Sequence, residues 1–271
     1  MPQAALGDIT LHYEREGNGT PLIAVAGMVS DSASWGPLVP GLASSFDLIR
    51  PDNRCTGQTR PLPCATSIAA MVDDCIGLLD ALDIDTAHFL GHSMGAAICL
   101  HLAARHPGRV GRVVAMSGTG TGSAHARAVF TEIAALADDH EDPGRFLRLL
   151  FPWLFSPAFF DQPGAVEAAE IAALAYPHRQ PLAGMQGQMA LLHQPAPPLD
   201  VTAIEAPLLV IGGEEDRLVP PHSLQAAFAD TIWQTHSRPA VTILRGAGHS
   251  VHWDAPGAVL ACILDFLTAE R

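Results

Sequence analysis

The 271-residue chain contains no lysine, because all 15 of its basic residues are arginines. The absence of lysine excludes a lysine Schiff base, a phosphate-loop lysine and a serine–lysine dyad within this sequence. Basic residues of any kind are also few, since 28 acidic residues outnumber them and the formal net charge is -13. A surface with this charge repels nucleic-acid phosphates and anionic lipid headgroups, so we expect neither nucleic acid nor a membrane as a partner.

Long apolar runs are also missing from the chain. No stretch of about 18 uninterrupted apolar residues occurs, and the first residues lack the basic and apolar pattern of a secretory signal. We therefore expect a cytoplasmic protein.

The cysteines lack a C-x-x-C pair, which predicts buried or half-buried thiols. The histidines lack an H-E-x-x-H motif, and we expect neither a metal nor another cofactor. The cysteines are Cys55, Cys64, Cys75, Cys99 and Cys262.

Short apolar runs recur along the chain and predict the strands of a buried sheet. Segments such as PLIAVAG, AHFLGHS and PLLVIGG are almost wholly apolar and end at glycine or a small polar residue. This pattern is typical of parallel strands that are buried on both faces. Between them lie segments with apolar residues at three- and four-residue steps, for example SIAAMVDDCIGLLDAL, which predict helices packed on the sheet. The alternation indicates the α/β class, with a mostly parallel sheet flanked by helices.

The alternation of strands and helices stops between residues 120 and 203. This region contains helical segments such as GRFLRLLFPWLF, which are separated by prolines, and the next strand pattern is PLLVIGG. A helical insertion between two strands of the sheet explains the pattern without a second independent domain. We therefore predict an α/β core formed by residues 1–119 and 204–271, and a helical cap formed by residues 120–203.

The pentapeptide GHSMG lies directly after an apolar strand pattern and directly before a helical one. Gly91 and Gly95 stand two residues on either side of Ser93, and this spacing permits the tight, strained turn called a nucleophile elbow. The turn lifts the serine hydroxyl out of the sheet, and the start of the helix directs free backbone N–H groups towards it. The motif predicts that Ser93 is a catalytic nucleophile and that the N–H of Met94 helps to bind an oxyanion.

A serine hydroxyl needs a general base, and the base needs a third group that orients it. Two later loops contain the candidates: Glu214, Glu215 and Asp216 for the acid, and His249 and His252 for the base. Residue 249 is favoured as the base, because the small residues before it allow its loop to reach across the edge of the sheet. The order serine, acid, histidine is the order expected after a nucleophile elbow. We expect the remaining histidines at the surface or at helix ends.

The motifs GHSMG, GGEEDRLVP and GAGHSVHWDAP occur in the order and near the spacing found in the α/β-hydrolase fold superfamily. The chain resembles that superfamily over essentially its whole length. The resemblance implies that Ser93 is the nucleophile, Asp216 the acid and His249 the base. It also implies a second oxyanion donor in the loop after PLIAVAG, which we place at the N–H of Met28. The histidine that many family members have in this loop is absent, and Ala26 stands there instead.

Aromatic residues are concentrated in the predicted cap, where FPWLFSPAFF contains five phenylalanines and tryptophans. Packing between helices explains this concentration, and the alternative is that Trp153 and Phe155 line an apolar pocket with Trp35. The short cap, the elbow GHSMG and the missing histidine of the oxyanion loop together resemble those of 3-oxoadipate enol-lactonases and small carboxylesterases. A lactone that carries a carboxylate would need a cationic anchor, and no feature of the sequence singles one out. The arginines of the cap are Arg127, Arg145, Arg148 and Arg179.

Together these features predict a cofactor-independent serine hydrolase that cleaves a small-molecule carboxylic ester or lactone through an acyl-enzyme. Two alternatives stay open: a carbon–carbon bond hydrolase of the meta-cleavage type, which uses the same three residues, and a non-catalytic, hydrolase-like binding protein that retains them. The serine at position 93 argues against haloalkane dehalogenases and epoxide hydrolases, which need a carboxylate nucleophile. The oligomeric state is left open.

Overall fold

The chain folds around an eight-stranded sheet in the computed structural model, which describes residues 2–62, 64–136, 142–194, 198–229 and 240–269. The strands are β1 (Gln3–Leu6), β2 (Ile9–Glu16), β3 (Thr20–Val25), β4 (Phe46–Pro51), β5 (Ala87–His92), β6 (Val110–Met116), β7 (Leu208–Gly213) and β8 (Ala240–Leu244). Their order across the sheet is β1-β2-β4-β3-β5-β6-β7-β8.

Six neighbouring strands run parallel, from β4 through β3, β5, β6 and β7 to β8. The other two strands form an antiparallel edge, in which β1 pairs with β2 and β2 pairs with β4. The predicted α/β class with a mostly parallel sheet is therefore confirmed. The carboxyl ends of the six parallel strands meet at one edge, which is where open α/β sheets place their binding sites.

Helices cover both faces of the sheet, and none of those described is long and apolar enough to cross a membrane. They are α1 (Val39–Ala43), α2 (Ile68–Ala81), α3 (Met94–Arg105), α4 (Ala124–Ala134), α5 (Arg145–Leu154), α6 (Pro157–Phe160), α7 (Ala165–Ala175), α8 (Leu182–Met189), α9 (Pro221–Leu224), α10 (Val251–Asp254) and α11 (Pro256–Thr268). The apolar stripe predicted for α2 is buried, as expected from its three- and four-residue spacing.

The alternating side chains of β3 separate two apolar clusters. Ile23 and Val25 belong to the cluster that also contains the buried residues of α2 and α3. Leu22 and Ala24 point to the opposite face and belong to a second cluster, which contains the buried residues of α11. Because successive side chains of a strand point to opposite faces, a sheet covered on both sides needs strands that are apolar throughout.

The segment between β6 and β7 forms five helices, α4 to α8, and the described part of it contains no strand. Prolines interrupt this segment, since Pro157 begins α6 and Pro181 precedes α8. We call this segment the cap. The limits at residues 120 and 203 stay a prediction, and residues 137–141 and 195–197 of the predicted cap lie outside the described residues.

The stability of two isoleucine variants should show which side chains the sheet buries. Ile23 in β3 is fully buried, so Ile23→Ala should lower the free energy of unfolding by about 2–5 kcal/mol. Ile171 in α7 is 60% exposed, so Ile171→Ala should change it by less than about 0.5 kcal/mol. Urea unfolding followed by circular dichroism measures both values. Equal losses would contradict the placement of β3 in the core.

Candidate active site

Ser93 stands in the turn between β5 and α3, with a backbone φ of 54°. A positive φ is uncommon for a residue that has a side chain, and it marks a strained turn. The turn also brings backbone atoms close together. A Cβ on Gly91 would lie 2.3 Å from the carbonyl oxygen of Gly95, and a Cβ on Gly95 would lie 2.0 Å from that of Val25. The backbone therefore leaves no room for a side chain at either glycine of GHSMG.

Three side chains from three loops, here called the triad, meet at the carboxyl edge of the sheet. The Nε2 of His249 lies 2.9 Å from the hydroxyl oxygen of Ser93, and its Nδ1 lies 2.8 Å from a carboxylate oxygen of Asp216. Asp216 and His249 are buried, whereas Ser93 is half-buried. The structure thus brings together the three residues predicted from the sequence. An imidazole in this position can take a proton from the hydroxyl while the carboxylate orients the ring.

Backbone N–H groups hold the carboxylate of Asp216 in place. One of its oxygens accepts hydrogen bonds from the N–H of Leu218 at 2.9 Å and from that of Val219 at 2.8 Å, and the other faces the imidazole. The two other candidates for the acid, Glu214 and Glu215, are exposed to solvent. The geometry therefore selects the residue at position 216 from the three acidic neighbours.

The loop that carries the imidazole is bonded to the cap. The carboxylate of Asp254 accepts hydrogen bonds from the N–H of Gly248 at 2.8 Å and from that of Ser156, at the start of α6, at 2.9 Å. The N–H of Ser250 donates to the carbonyl oxygen of Leu154 at 2.8 Å. Burial raises the pKa of the Asp254 carboxyl. One carboxylate thus joins the cap to the histidine loop.

Two further histidines lie buried beside His249. The Nε2 of His92 donates to the backbone carbonyl of His249 at 2.9 Å, and the ring of His92 lies 4.7 Å from that of His252. Burial lowers the pKa of His92 to about 3 and that of His252 well below its usual range, so both rings are neutral near pH 7. The expectation of a surface or capping position is wrong for His12, His92 and His101, which are all buried. No group of three histidine, cysteine or acidic side chains in the described residues is arranged to hold a metal ion.

The predicted oxyanion donors lie on either side of the elbow. Met94 is the first residue of α3, so its N–H has no acceptor within the helix. The loop after β3 approaches the elbow closely, since a Cβ on Gly27 would lie 3.4 Å from the Cβ of the serine. In this loop the N–H of Val29 donates to Oε1 of Gln188 in α8 at 3.0 Å. The N–H of Met28 donates to no acceptor within the described ranges, which leaves it available to an oxyanion.

An apolar cluster, here called the cap cluster, joins the cap to the loops of this edge. Met28 from the oxyanion loop, Val219 from the acid loop and Trp153 from α5 all pack against it. An apolar group bound next to the triad would therefore meet apolar side chains. The buried members of the cap cluster are Phe130, Ile133, Phe146, Leu150, Met185, Met189 and Leu218.

One of the three residues predicted to line a pocket, Trp35, lies elsewhere. Trp35 is fully buried in the cluster under α11, and its ring packs 5.3 Å from that of His252. The structure therefore does not bring it to Trp153, because the two tryptophans belong to different clusters. The ring of Phe155 stacks on that of Phe159 at 4.4 Å, so it packs within the cap. Of the three residues, Trp153 alone borders the cap cluster.

Comparison with known protein families shows the family to which the chain belongs. A sequence model of the alpha/beta hydrolase family matches residues 22–261. The chain belongs to the alpha/beta hydrolase family. The matched range covers the elbow, the acid loop and the histidine loop of this hydrolase. The resemblance seen in the three motifs and the predicted fold are therefore confirmed.

Individual relatives match the hydrolase over nearly its full length. It is 28% identical over 256 residues to a proposed carbamate hydrolase, RutD, of Azorhizobium caulinodans, with 89% of this chain and 94% of the relative covered. It is 26% identical over 283 aligned positions to pyrrolizixenacetamide deacetylase of Xenorhabdus hominickii, with 100% and 99% covered. The crystal structure of the enol-lactonase from Burkholderia xenovorans LB400 has a TM-score of 0.81 and 25% identity, with 99% and 100% covered.

The strain in the elbow should appear as a difference in stability between two variants. Ser93→Gly removes the side chain that disfavours a positive φ, whereas Ser93→Ala keeps a Cβ at the same position. The glycine variant should therefore have a free energy of unfolding about 1 kcal/mol higher than the alanine variant. Urea unfolding measures the difference, and both variants lack the hydroxyl. Equal stabilities would show that the turn is not strained.

Proposed function

We propose that this hydrolase is a serine hydrolase that cleaves a carboxylic ester or lactone of a small, neutral molecule through an acyl-enzyme. The geometry of the triad carries the proposal, since one imidazole lies within hydrogen-bond distance of both the hydroxyl of Ser93 and the carboxylate of Asp216. A nucleophile and its general base need a separation of about 2.6–3.2 Å. The buried carboxylate supplies the third group, which orients the base.

In the proposed reaction, His249 takes the proton of Ser93 while the hydroxyl oxygen attacks the carbonyl carbon of the substrate. The N–H groups of Met28 and Met94 stabilise the oxyanion of the tetrahedral intermediate. The imidazolium, stabilised by Asp216, then protonates the leaving oxygen, and the acyl group stays on the serine. A water molecule then gives a proton to the same imidazole and attacks the acyl carbon. The bond between this carbon and the oxygen of Ser93 breaks, the imidazolium returns the proton to that oxygen, and the carboxylic acid leaves.

The cap cluster favours a neutral substrate. It lies against the oxyanion loop and the acid loop, so the group next to the reacting carbonyl meets apolar side chains. Two of the cap arginines that were considered as anchors for a substrate carboxylate are poorly placed for it. Arg148 is paired with Asp142 and Glu170, and Arg179 is exposed. These placements argue only against Arg148 and Arg179 as anchors, and it is the apolar cap cluster that favours an uncharged ester or lactone over a lactone that carries a carboxylate.

A carbamate is the second candidate substrate class. The relatives are named for a carbamate, an acetamide and an enol-lactone, and all three contain a carbonyl carbon bonded to a heteroatom leaving group. A serine nucleophile attacks these compounds in the same way. For a carbamate or an amide the imidazolium would have to protonate a nitrogen, which is the step that most separates these substrates from esters.

Removal of the nucleophile should abolish both turnover and covalent labelling. Hydrolysis is measured on a panel of substrates. The panel contains p-nitrophenyl esters of graded chain length, a neutral and a carboxylated lactone, an aryl carbamate and a meta-cleavage product. Ser93→Ala should lower kcat on the best ester by ~10⁴-fold or more, because it removes the attacking atom. Ser44→Ala, at an exposed serine, is the control and should leave kcat unchanged. A fluorophosphonate probe should label the wild type and the control but not Ser93→Ala.

The same panel separates the alternatives. Labelling by the probe together with cleavage of the carbon–carbon substrate alone would replace the proposal by the meta-cleavage type of hydrolase. A wild-type protein that neither reacts with the probe nor cleaves any substrate would be a binding protein that retains the triad.

His92 should act as a positioning residue for the base. His92→Ala removes the side chain that holds the backbone of His249, so it should lower kcat by ~10-fold or more with little change in KM. His101→Ala is the matched control, because His101 is also buried and bonds through Nε2 to a backbone carbonyl, that of Gly120. Steady-state kinetics on the best ester measures both. Equal losses of kcat would indicate general destabilisation and contradict a positioning role.

A further inference from the structure

Two cysteines meet in the loop that follows β4. The Sγ of Cys55 lies 3.0 Å from the Sγ of Cys64, which is nine residues further along the chain. The same Sγ of Cys55 lies 3.2 Å from the backbone carbonyl oxygen of Cys64. The sulfur atoms of a disulfide are about 2.05 Å apart, so the two sulfurs need to move only about 1 Å to bond.

The charges around the pair favour a thiolate. A hydrogen bond from the thiol of Cys64 and the positive charge of Arg54 lower the pKa of Cys55. Burial raises the pKa of Cys55 as it does those of Cys75 and Cys99, and at Cys55 the hydrogen bond from Cys64 outweighs it. A thiolate at Cys55 can act as the base that takes the proton of Cys64, and the thiolate of Cys64 formed in this way is the nucleophile in thiol–disulfide exchange.

The pair lies beneath helix α8 of the cap. Cys55 is fully buried, and a Cβ on Gly187 of α8 would lie 3.0 Å from its Sγ. The side-chain nitrogen of Gln180 donates to the carbonyl oxygen of Cys55 at 2.7 Å. Cys64, in contrast, is partly exposed. Of the two residues, Cys64 is therefore the one that a small molecule in solution can approach.

A short series of hydrogen bonds connects the pair to the oxyanion loop. The carbonyl oxygen of Arg54, next to Cys55, accepts a bond from Nε2 of Gln188 at 3.0 Å. The Oε1 of the same Gln188 accepts the N–H of Val29 at 3.0 Å. Gln188 is fully buried, so both bonds are shielded from water. A bond between the cysteines would thus form next to contacts that hold α8 and the oxyanion loop.

We propose that Cys55 and Cys64 form a thiol–disulfide exchange site, which an oxidised low-molecular-weight disulfide converts into an intramolecular disulfide and a free thiol converts back. Cys64 gives its proton to the thiolate of Cys55 and attacks one sulfur of the oxidant RSSR, whose S–S bond breaks to release RS⁻. Cys55 passes the proton to RS⁻ and attacks the sulfur of Cys64. The second RS⁻ leaves, so RSSR gains two electrons and the protein gains one disulfide.

Counting free thiols tests the proposal. The full chain is equilibrated with glutathione buffers from fully reduced to fully oxidised, quenched with acid and alkylated with iodoacetamide in denaturant, and its mass is measured. In oxidised buffer the wild type should lose two of its five alkylatable thiols, carry no glutathione and recover all five thiols with dithiothreitol. Peptide mapping should join residues 55 and 64. The Tm should rise by about 5 °C, because the bond restricts the unfolded chain.

Three variants separate this pair from the other thiols. Cys64→Ala and Cys55→Gly should form no intramolecular disulfide, and glycine suits position 55 because its φ is 66°. Cys262→Ala removes the other partly exposed thiol and should oxidise like the wild type. Five alkylatable thiols in the oxidised wild type, or an intramolecular disulfide in Cys64→Ala and Cys55→Gly, would overturn the proposal. Thiol counting does not depend on ester cleavage, so its outcome is separate from that of the proposed function.

Discussion

The parallel alignment of β5, β6, β7 and β8 is the constraint on which the candidate site depends. Parallel strands end at the same edge, so the loops after β5, β7 and β8 can join side chains that are up to 156 positions apart in the chain. Such a sheet is stable only when both of its faces are covered, which here is done by α2 and α3 on one side and α11 on the other.

The features that could be predicted from the sequence depend on local patterns. The strands and helices follow from the spacing of apolar residues, and the elbow follows from two glycines whose roles lie within a few residues of Ser93. The residues themselves leave three adjacent candidates for the acid, Glu214, Glu215 and Asp216, and the fold buries only the last of them and bonds it to the imidazole. Family resemblance led to the same choice as the three-dimensional arrangement.

The features that could not be predicted depend on contacts between distant segments. A tryptophan such as Trp35 can line a pocket or fill the core, and the sequence does not distinguish the two. The packing of α11 shows that this one belongs to the core. The bond from His92 to the histidine loop joins residues 157 positions apart, and no pattern in the sequence indicates it. The contact between Cys55 and Cys64 likewise depends on how the loop after β4 folds back under the cap. Strand β1 has no alternating pattern of its own and forms by pairing with β2.

The carboxylate of Asp254 has a consequence for how molecules enter the site. It holds the backbone before α6 and the backbone before the imidazole at the same time. Lifting this end of the cap would pull on both, and the distance between base and hydroxyl would grow. The cap therefore cannot open at this end while the imidazole stays within hydrogen-bond distance of the serine hydroxyl. The two hydrogen bonds of Asp254 thus favour reaction of a molecule that fits beneath this end of the cap while it stays closed.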